Sequence, residues 1–183
     1  RFDMYIWKSV CKTLAAWQDK GCKLVPISIN VSMIDITNID VPQYLSMLTE
    51  QYHISPEYLP VEITESVFAE SNTIVKNTIT RFHEKGFYVL MDDFGSGFVV
   101  EMDDFGSGYS SLNVLKDANV DYLKLDMKFM QIDAKNKGKG IQILKSIVDM
   151  AYRLGLVIIA EGVETKEQSE ILKSMNCNYG QGF

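Results

Sequence analysis

The stretch GFYVLMDDFGSG (86–97) decides how this chain is read. Gly86 stands where a helix would close, FYVLM (87–91) is an apolar run of strand length, and two aspartates follow before a Gly-Ser-Gly turn. A strand that delivers carboxylates at its C-terminal end belongs to α/β architecture, where ligands gather at those ends. The stretch is then echoed. FVVEMDDFGSG (98–108) repeats FYVLMDDFGSG (87–97), with Val99 for Tyr88 and Glu101 for Leu90.

Working outward, helix and strand patterns alternate. Phe2, Ile6, Val10, Leu14 and Trp17 recur at spacings of three and four and predict an amphipathic helix, closed near Gly21. LVPISIN (24–30) reads as a strand, VPQYLSMLTEQY (41–52) as a helix with Pro in its first turn, LPVEITE (59–65) as a strand, and 72–85 as a helix stopped by Gly86. Beyond the repeat, YLKLD (122–126) reads as a strand, 141–154 as a helix ended by Gly155, LVIIAE (156–161) as a strand, and 166–175 as a helix. AKNKGKGIQ (134–142) reads as a short basic loop. This alternation predicts one α/β domain on a mainly parallel sheet.

Composition agrees with an ordinary globular domain: 183 residues, 46% hydrophobic and 23% charged. A formal net charge of −6 without a Lys/Arg-rich block argues against DNA or RNA as partner. Three cysteines without CxxC spacing suggest neither a disulfide framework nor a zinc cluster, so the expected compartment is a reducing cytoplasm. No apolar run approaches 18 residues, so no membrane insertion by this chain is expected. Position 1 is not Met, which suggests a piece of a longer protein.

Side chains along a strand alternate faces. Ile27 and Ile29 oppose Ser28 and Asn30; Val61 and Ile63 oppose Glu62 and Thr64; Leu123 and Leu125 oppose Lys124 and Asp126; Ile158 and Ala160 oppose Ile159 and Glu161. Each strand thus carries an apolar face and a polar group near its C-terminal end. Asn30, Glu62, an Asp pair and Glu161 are all oxygen donors, a set that selects Mg²⁺, Mn²⁺ or Ca²⁺ over zinc or copper. Adjacent aspartates can bridge two ions, a common device for phosphodiester hydrolysis. Lys124 beside them could neutralise an oxyanion, hold a phosphate or orient the attacking water.

SINVS (28–32), VEITES (61–66), MDDFGSGYSSL (102–112), LKLD (123–126), AEGVET (160–165) and QGF (181–183) together resemble the ordered signature blocks of the EAL domain family, the cyclic di-GMP phosphodiesterases. A protein kinase reading of DFG falls, since no VAIK-type strand or HRD loop accompanies it. The resemblance implies a modified TIM barrel that hydrolyses cyclic di-GMP to the linear dinucleotide with Mg²⁺ or Mn²⁺ at a two-metal site. It implies metal ligands at Asn30, Glu62, the Asp pair and Glu161, with Lys124 positioning or activating water and Glu161 also counted as catalytic. Glu65 matches a residue that anchors the catalytic loop, and Glu164 and Gln181 match positions near the substrate. It further implies a homodimer through the DDFG-loop face and the following helix, Tyr109 to Lys116, and attachment to other signalling domains.

Two departures shape the expectations. The Glu-Ala-Leu block belongs on a strand before the opening helix, and no such tripeptide occurs in these 183 residues. A full barrel takes roughly 250 residues. The chain is therefore expected to form a single partial domain over 1–183, truncated at both ends and lacking the first strand and the last strand and helix, with weak metal binding and little activity on its own. The repeat is the second departure: the first copy has the better strand, because Glu101 would place a carboxylate where Leu90 sits, and burying an unpaired carboxylate is costly. The second copy has the expected downstream YSSL. Asp92 and Asp93 are accordingly preferred as the working pair, with Asp103 and Asp104 as the alternative. A catalytically inactive cyclic di-GMP receptor is the second reading of function, and a structural or dimerisation domain the third.

Overall fold

The computed structural model describes residues 2–65, 67, 72–94, 115, 119–126, 137–177 and 179–182. Two compact units divide it, Arg1–Leu90 and Met91–Phe183.

In the first unit, α1 (Phe2–Asp19) turns Trp7, Cys11 and Leu14 inward, positions separated by four and three residues and so on one helical face. It ends at Gly21, whose φ of +67° allows the Cys22 N–H to reach the Trp17 carbonyl at 3.0 Å. Strand β1 (Ile29–Asn30) pairs in parallel with β2 (Val61–Thr64), Ile29 opposite Val61 and Asn30 opposite Glu62. The predicted strand over 24–30 thus shrinks to its last two residues. Pro26 has no N–H to give, and the Ile27 N–H bonds to Tyr58, part of a 3₁₀ turn over Pro56–Tyr58 rather than of a strand.

A helix that the periodicity did not announce, α2 (Met33–Asn38), follows β1. It is nucleated by a capping box: the Ser32 hydroxyl accepts from the Asp35 N–H, and the Asp35 carboxylate accepts from the Ser32 N–H. Helix α3 (Val41–Tyr52) starts at the Asp40 cap with Pro42 in its first turn and buries Val41, Leu45 and Leu48. Trp7 of α1 lies 6.0 Å from the Tyr44 ring of α3. Helix α4 (Asn72–Glu84) buries Val75, Ile79 and Phe82. Gly86, at φ +82°, turns the chain so that the Phe87 N–H bonds to the Phe82 carbonyl, and Tyr88 then accepts from the Val61 N–H of β2 at 2.9 Å.

Strand β3 (Val89–Phe94) starts in the first unit and carries its aspartates in the second. It runs three residues past the predicted end, so Asp92 and Asp93 belong to the strand itself. In the second unit, β4 (Tyr122–Asp126) pairs in parallel with β5 (Val157–Glu161), and β5 with β6 (Tyr179–Gln181). Helix α5 (Lys137–Arg153) buries Leu144, Ile147, Val148 and Ala151 on one face. It begins four residues before the predicted start, and so absorbs part of the sequence read as a basic loop. Helix α6 (Lys166–Ser174) is short and capped by Thr165. Strand β6 was not predicted: its three residues are all exposed, and only the ladder offered by β5 makes them a strand.

The alternation of faces holds, with one difference. The polar positions are not all wet: Glu62 and Lys124 are 8% and 4% exposed. Burial also pushes the Cys11 thiol up to about 11 and raises that of Cys177, so both behave as small apolar side chains.

Candidate active site

The second unit gathers one compact group of charges. β3 supplies Asp92 and Asp93, β4 supplies Lys124 from its middle, and β5 supplies Glu161 at its last residue. Lys124 reaches out from between Leu123 and Leu125, which are buried on the opposite face. Its ammonium lies 3.0 Å from Asp92 Oδ1 and 2.8 Å from Glu161 Oε1. Side chains of Asp92 and Glu161 are 14% and 23% exposed, against 5% for Lys124. The cation is therefore held below the rim, and the carboxylates open towards water.

Asp92, Asp93 and Glu161 place one carboxylate oxygen each within 4.8 Å of one another. Asp93 adopts φ +58°, a left-handed conformation that Asp tolerates better than most residues, and its N–H donates to Asp92 Oδ1 at 2.9 Å. That bond, with the one from Lys124, fixes the orientation of Asp92. Among the described residues this group sets Asp92, Asp93 and Glu161 beside the Lys124 ammonium, an excess of negative charge in a small volume. An all-oxygen donor set with that charge fits a hard divalent cation.

Within the first unit, Asn30 and Glu62 form a pair of candidates. Asn30 and Glu62 are direct neighbours across the β1–β2 ladder at its C-terminal end, Asn30 exposed and Glu62 buried. The Asn30 carbonyl accepts the Trp7 indole N–H at 3.0 Å, and the Val31 N–H donates to the Glu62 carbonyl at 2.9 Å. Glu65, one residue beyond β2, is half-buried.

The remaining site candidates lie where β5 and β6 end. Gln181 is opposite Glu161 in the ladder, and its carbonyl accepts the Val163 N–H at 3.1 Å. Glu164 is exposed and immediately precedes the Thr165 cap of α6. Glu101, Asp103, Asp104 and, apart from Leu115, the stretch 109–116 lie outside the described residues.

Some residues that shape these groups were missed in the sequence. Trp7 was read only as a helix position, and nothing local could link it to Asn30, 23 residues away. Gln168 could have been found, because Thr165-x-x-Gln168 has the spacing of a capping box. Gly182 could not: a Cβ there would lie 1.9 Å from the Val163 carbonyl oxygen, a contact visible only once the two segments are side by side.

The model of the EAL domain matches residues 1–100 and again 96–183. This chain belongs to the EAL domain family. Each copy of the repeat falls in a different one of the two matches. Among similar proteins, the "probable cyclic di-GMP phosphodiesterase PdeB" of Escherichia coli is 35% identical over 158 residues, 86% of this chain and 27% of the relative. The EAL domain of Mycobacterium smegmatis DcpA superposes with a TM-score of 0.80 at 28% identity, covering 96% of this chain and 74% of that one. A structure described as the PaMucR phosphodiesterase in complex with c-di-GMP gives 0.79 at 27% identity, covering 98% and 68%. The fold is thus the α/β, TIM-barrel-like fold of EAL domains. The chain spans only 21 to 27% of the length of the first curated relatives it matches.

Proposed function

We propose that this chain carries the catalytic groups of a metal-dependent cyclic di-GMP phosphodiesterase. The observation that carries the reading is the placement of Asp92, Asp93 and Glu161 around the Lys124 ammonium in a chain of the EAL domain family. In this reading Asp92, Asp93 and Glu161 hold Mg²⁺ or Mn²⁺, and Asn30 and Glu62 are the further ligands that the family resemblance implies. Bound divalent ions would polarise the phosphoryl oxygens and supply a nucleophile at neutral pH. Lys124, pinned by Asp92 and Glu161, keeps a fixed positive charge beside the reacting phosphodiester, orienting water and offsetting charge that develops on the phosphoryl oxygens. Glu164 and Gln181 lie near the nucleotide, and Glu65 anchors the catalytic loop. The greater length of the relatives supports the attachment of further signalling domains, and the same reading places the protein in the cytoplasm as a homodimer. Among the described residues no helix is long and apolar enough to cross a membrane.

One observation favours a second reading, a receptor that binds cyclic di-GMP without turnover. The sequence carries DDFGSG twice, at 92–97 and 103–108, where the family pattern expects one copy, a departure from the pattern of a working enzyme. Calorimetry with cyclic di-GMP, with and without Mg²⁺, followed by chromatography of the product, separates the readings. Binding with release of the linear dinucleotide, abolished by a chelator, is the expected result. Binding without turnover supports the receptor, and absence of binding sinks both.

A further inference from the structure

The turn from Glu161 to Thr165 carries two of the site candidates, and its backbone donors are held from outside. The Val163 N–H donates to the Gln181 carbonyl at 3.1 Å. The Glu164 and Thr165 N–H groups both donate to one atom, Oε1 of Gln168, at 2.8 Å each. Gln168 in turn donates its own N–H to the Thr165 hydroxyl at 3.2 Å. On the other side, Gly182 packs so closely on Val163 that a Cβ would lie 1.9 to 2.7 Å from three Val163 backbone atoms, so the end of β6 has no room to shift towards the turn. Gly162, at φ +73°, makes the sharp departure from β5 that these contacts then hold.

A capping box ordinarily serves its helix: the side chain at the third helical position returns one bond to the cap residue. Here the Gln168 carboxamide accepts a second bond from the residue before the cap, so it also orders the chain that leads back to Glu161. Glu161 sits three residues upstream, with its carboxylate on the Lys124 ammonium.

We propose that Gln168 is a positioning residue of the candidate site: its carboxamide, opposed by the Gly182 contact, sets the turn that presents Glu161 and Glu164. The inference rests on the reading that Asp92, Asp93 and Glu161 hold a divalent cation. Without the acceptor, the Glu164 and Thr165 N–H groups turn to water, the turn loosens, and the Glu161 carboxylate loses its fixed place beside Asp92.

The test uses the full chain and Mn²⁺ alone as probe. Gln168→Ala should weaken Mn²⁺ binding about tenfold, the scale on which supporting hydrogen bonds act in metal sites, and should speed amide exchange at Glu164 and Thr165. Gln168→Glu keeps an acceptor oxygen and should restore both. Thr165→Ala removes the acceptor for the Gln168 N–H, and so weakens α6, while leaving Gln168 Oε1 in place; its Mn²⁺ affinity should match the parent. A folded Gln168→Ala protein with parental affinity overturns the proposal. So do unprotected Glu164 and Thr165 amides in the parent, a measurement that needs no variant. Absence of Mn²⁺ binding by the parent, with those amides protected and freed in Gln168→Ala, overturns the cation reading and still supports Gln168 as the residue that sets the turn.

Discussion

The two units present their polar groups in opposite ways. In the first, the contacts that fix the backbone at Asn30 and Glu62 are a ladder register, an indole bond to the Asn30 carbonyl, and a capping box just beyond it. In the second, Asp92, Asp93 and Glu161 are held by charge, around a buried ammonium that touches two of them. A site held by backbone geometry survives a change of side chain. One held by charge is balanced, and removing a member alters the state of the rest.

The largest effect should therefore come from Lys124. Lys124→Met leaves Asp92 and Glu161 facing each other without a cation, and removing one partner of a buried pair typically costs about 3–5 kcal/mol, with the smaller figure expected here because both carboxylates reach solvent. Turnover of cyclic di-GMP should fall by about 100-fold or more, the scale lost with one electrostatic contact to a transition state. Urea denaturation and a turnover assay check the two halves, and Mg²⁺ should recover part of the lost stability by replacing the missing positive charge. If the variant is as stable and active as the parent, the second unit is not held by charge balance.

Next in size is the choice between the two aspartate pairs. Asp92→Asn removes a carboxylate oxygen from the group with Asp93 and Glu161, and Mn²⁺ affinity should drop by about tenfold or more, the loss expected when a ligand or its support is removed. Asp103→Asn should leave it within experimental error. Equal losses would contradict a single working pair.

The first unit should respond more mildly. Trp7→Phe keeps most of the packing against Tyr44 and removes the N–H given to the Asn30 carbonyl, so about 1 kcal/mol of stability should be lost, the usual net worth of one hydrogen bond. Metal affinity should change only weakly; a loss as deep as that from Asp92→Asn would show that Asn30 depends on more than its ladder.

The smallest effect lies away from both groups. Arg81 grips both oxygens of Asp40, at 2.7 and 2.6 Å, and holds that carboxyl below its ordinary 3.8. A depressed carboxylate contributes stability that is complete above the unfolded value and is lost as pH falls through the folded one. Both partners are about half exposed, so less than about 1 kcal/mol is at stake. Arg81→Ala should remove that acid-limb contribution, measurable as a smaller drop in melting temperature between pH 5 and pH 3, while leaving Mn²⁺ affinity unchanged.

Much of this was legible in the sequence because period and punctuation are local. Gly86 and Gly155 mark helix ends, and the alternation in VEIT, YLKLD and VIIAE separates core from polar face. The preference for the first repeat copy is a proposal that rests on one position: Leu90 is 5% exposed, a poor place for a carboxylate such as that of Glu101. The short elements were harder. Strand β6 and helix α2 are too brief for a period, and each exists because of something beside it, a ladder or a cap.

The amino-acid sequence by itself determined the α/β character and the family, and it named the candidate oxygen donors, since hydrophobic spacing and residue chemistry are properties of the chain. Only the tertiary structure decided that Lys124 lies between Asp92 and Glu161, that Gln168 answers two amides of the Glu161 turn, and that Gly182 leaves no space beside Val163. Those are relations between segments distant along the chain or folded back upon one another. Their distances are set by strand register and packing, which no local pattern encodes.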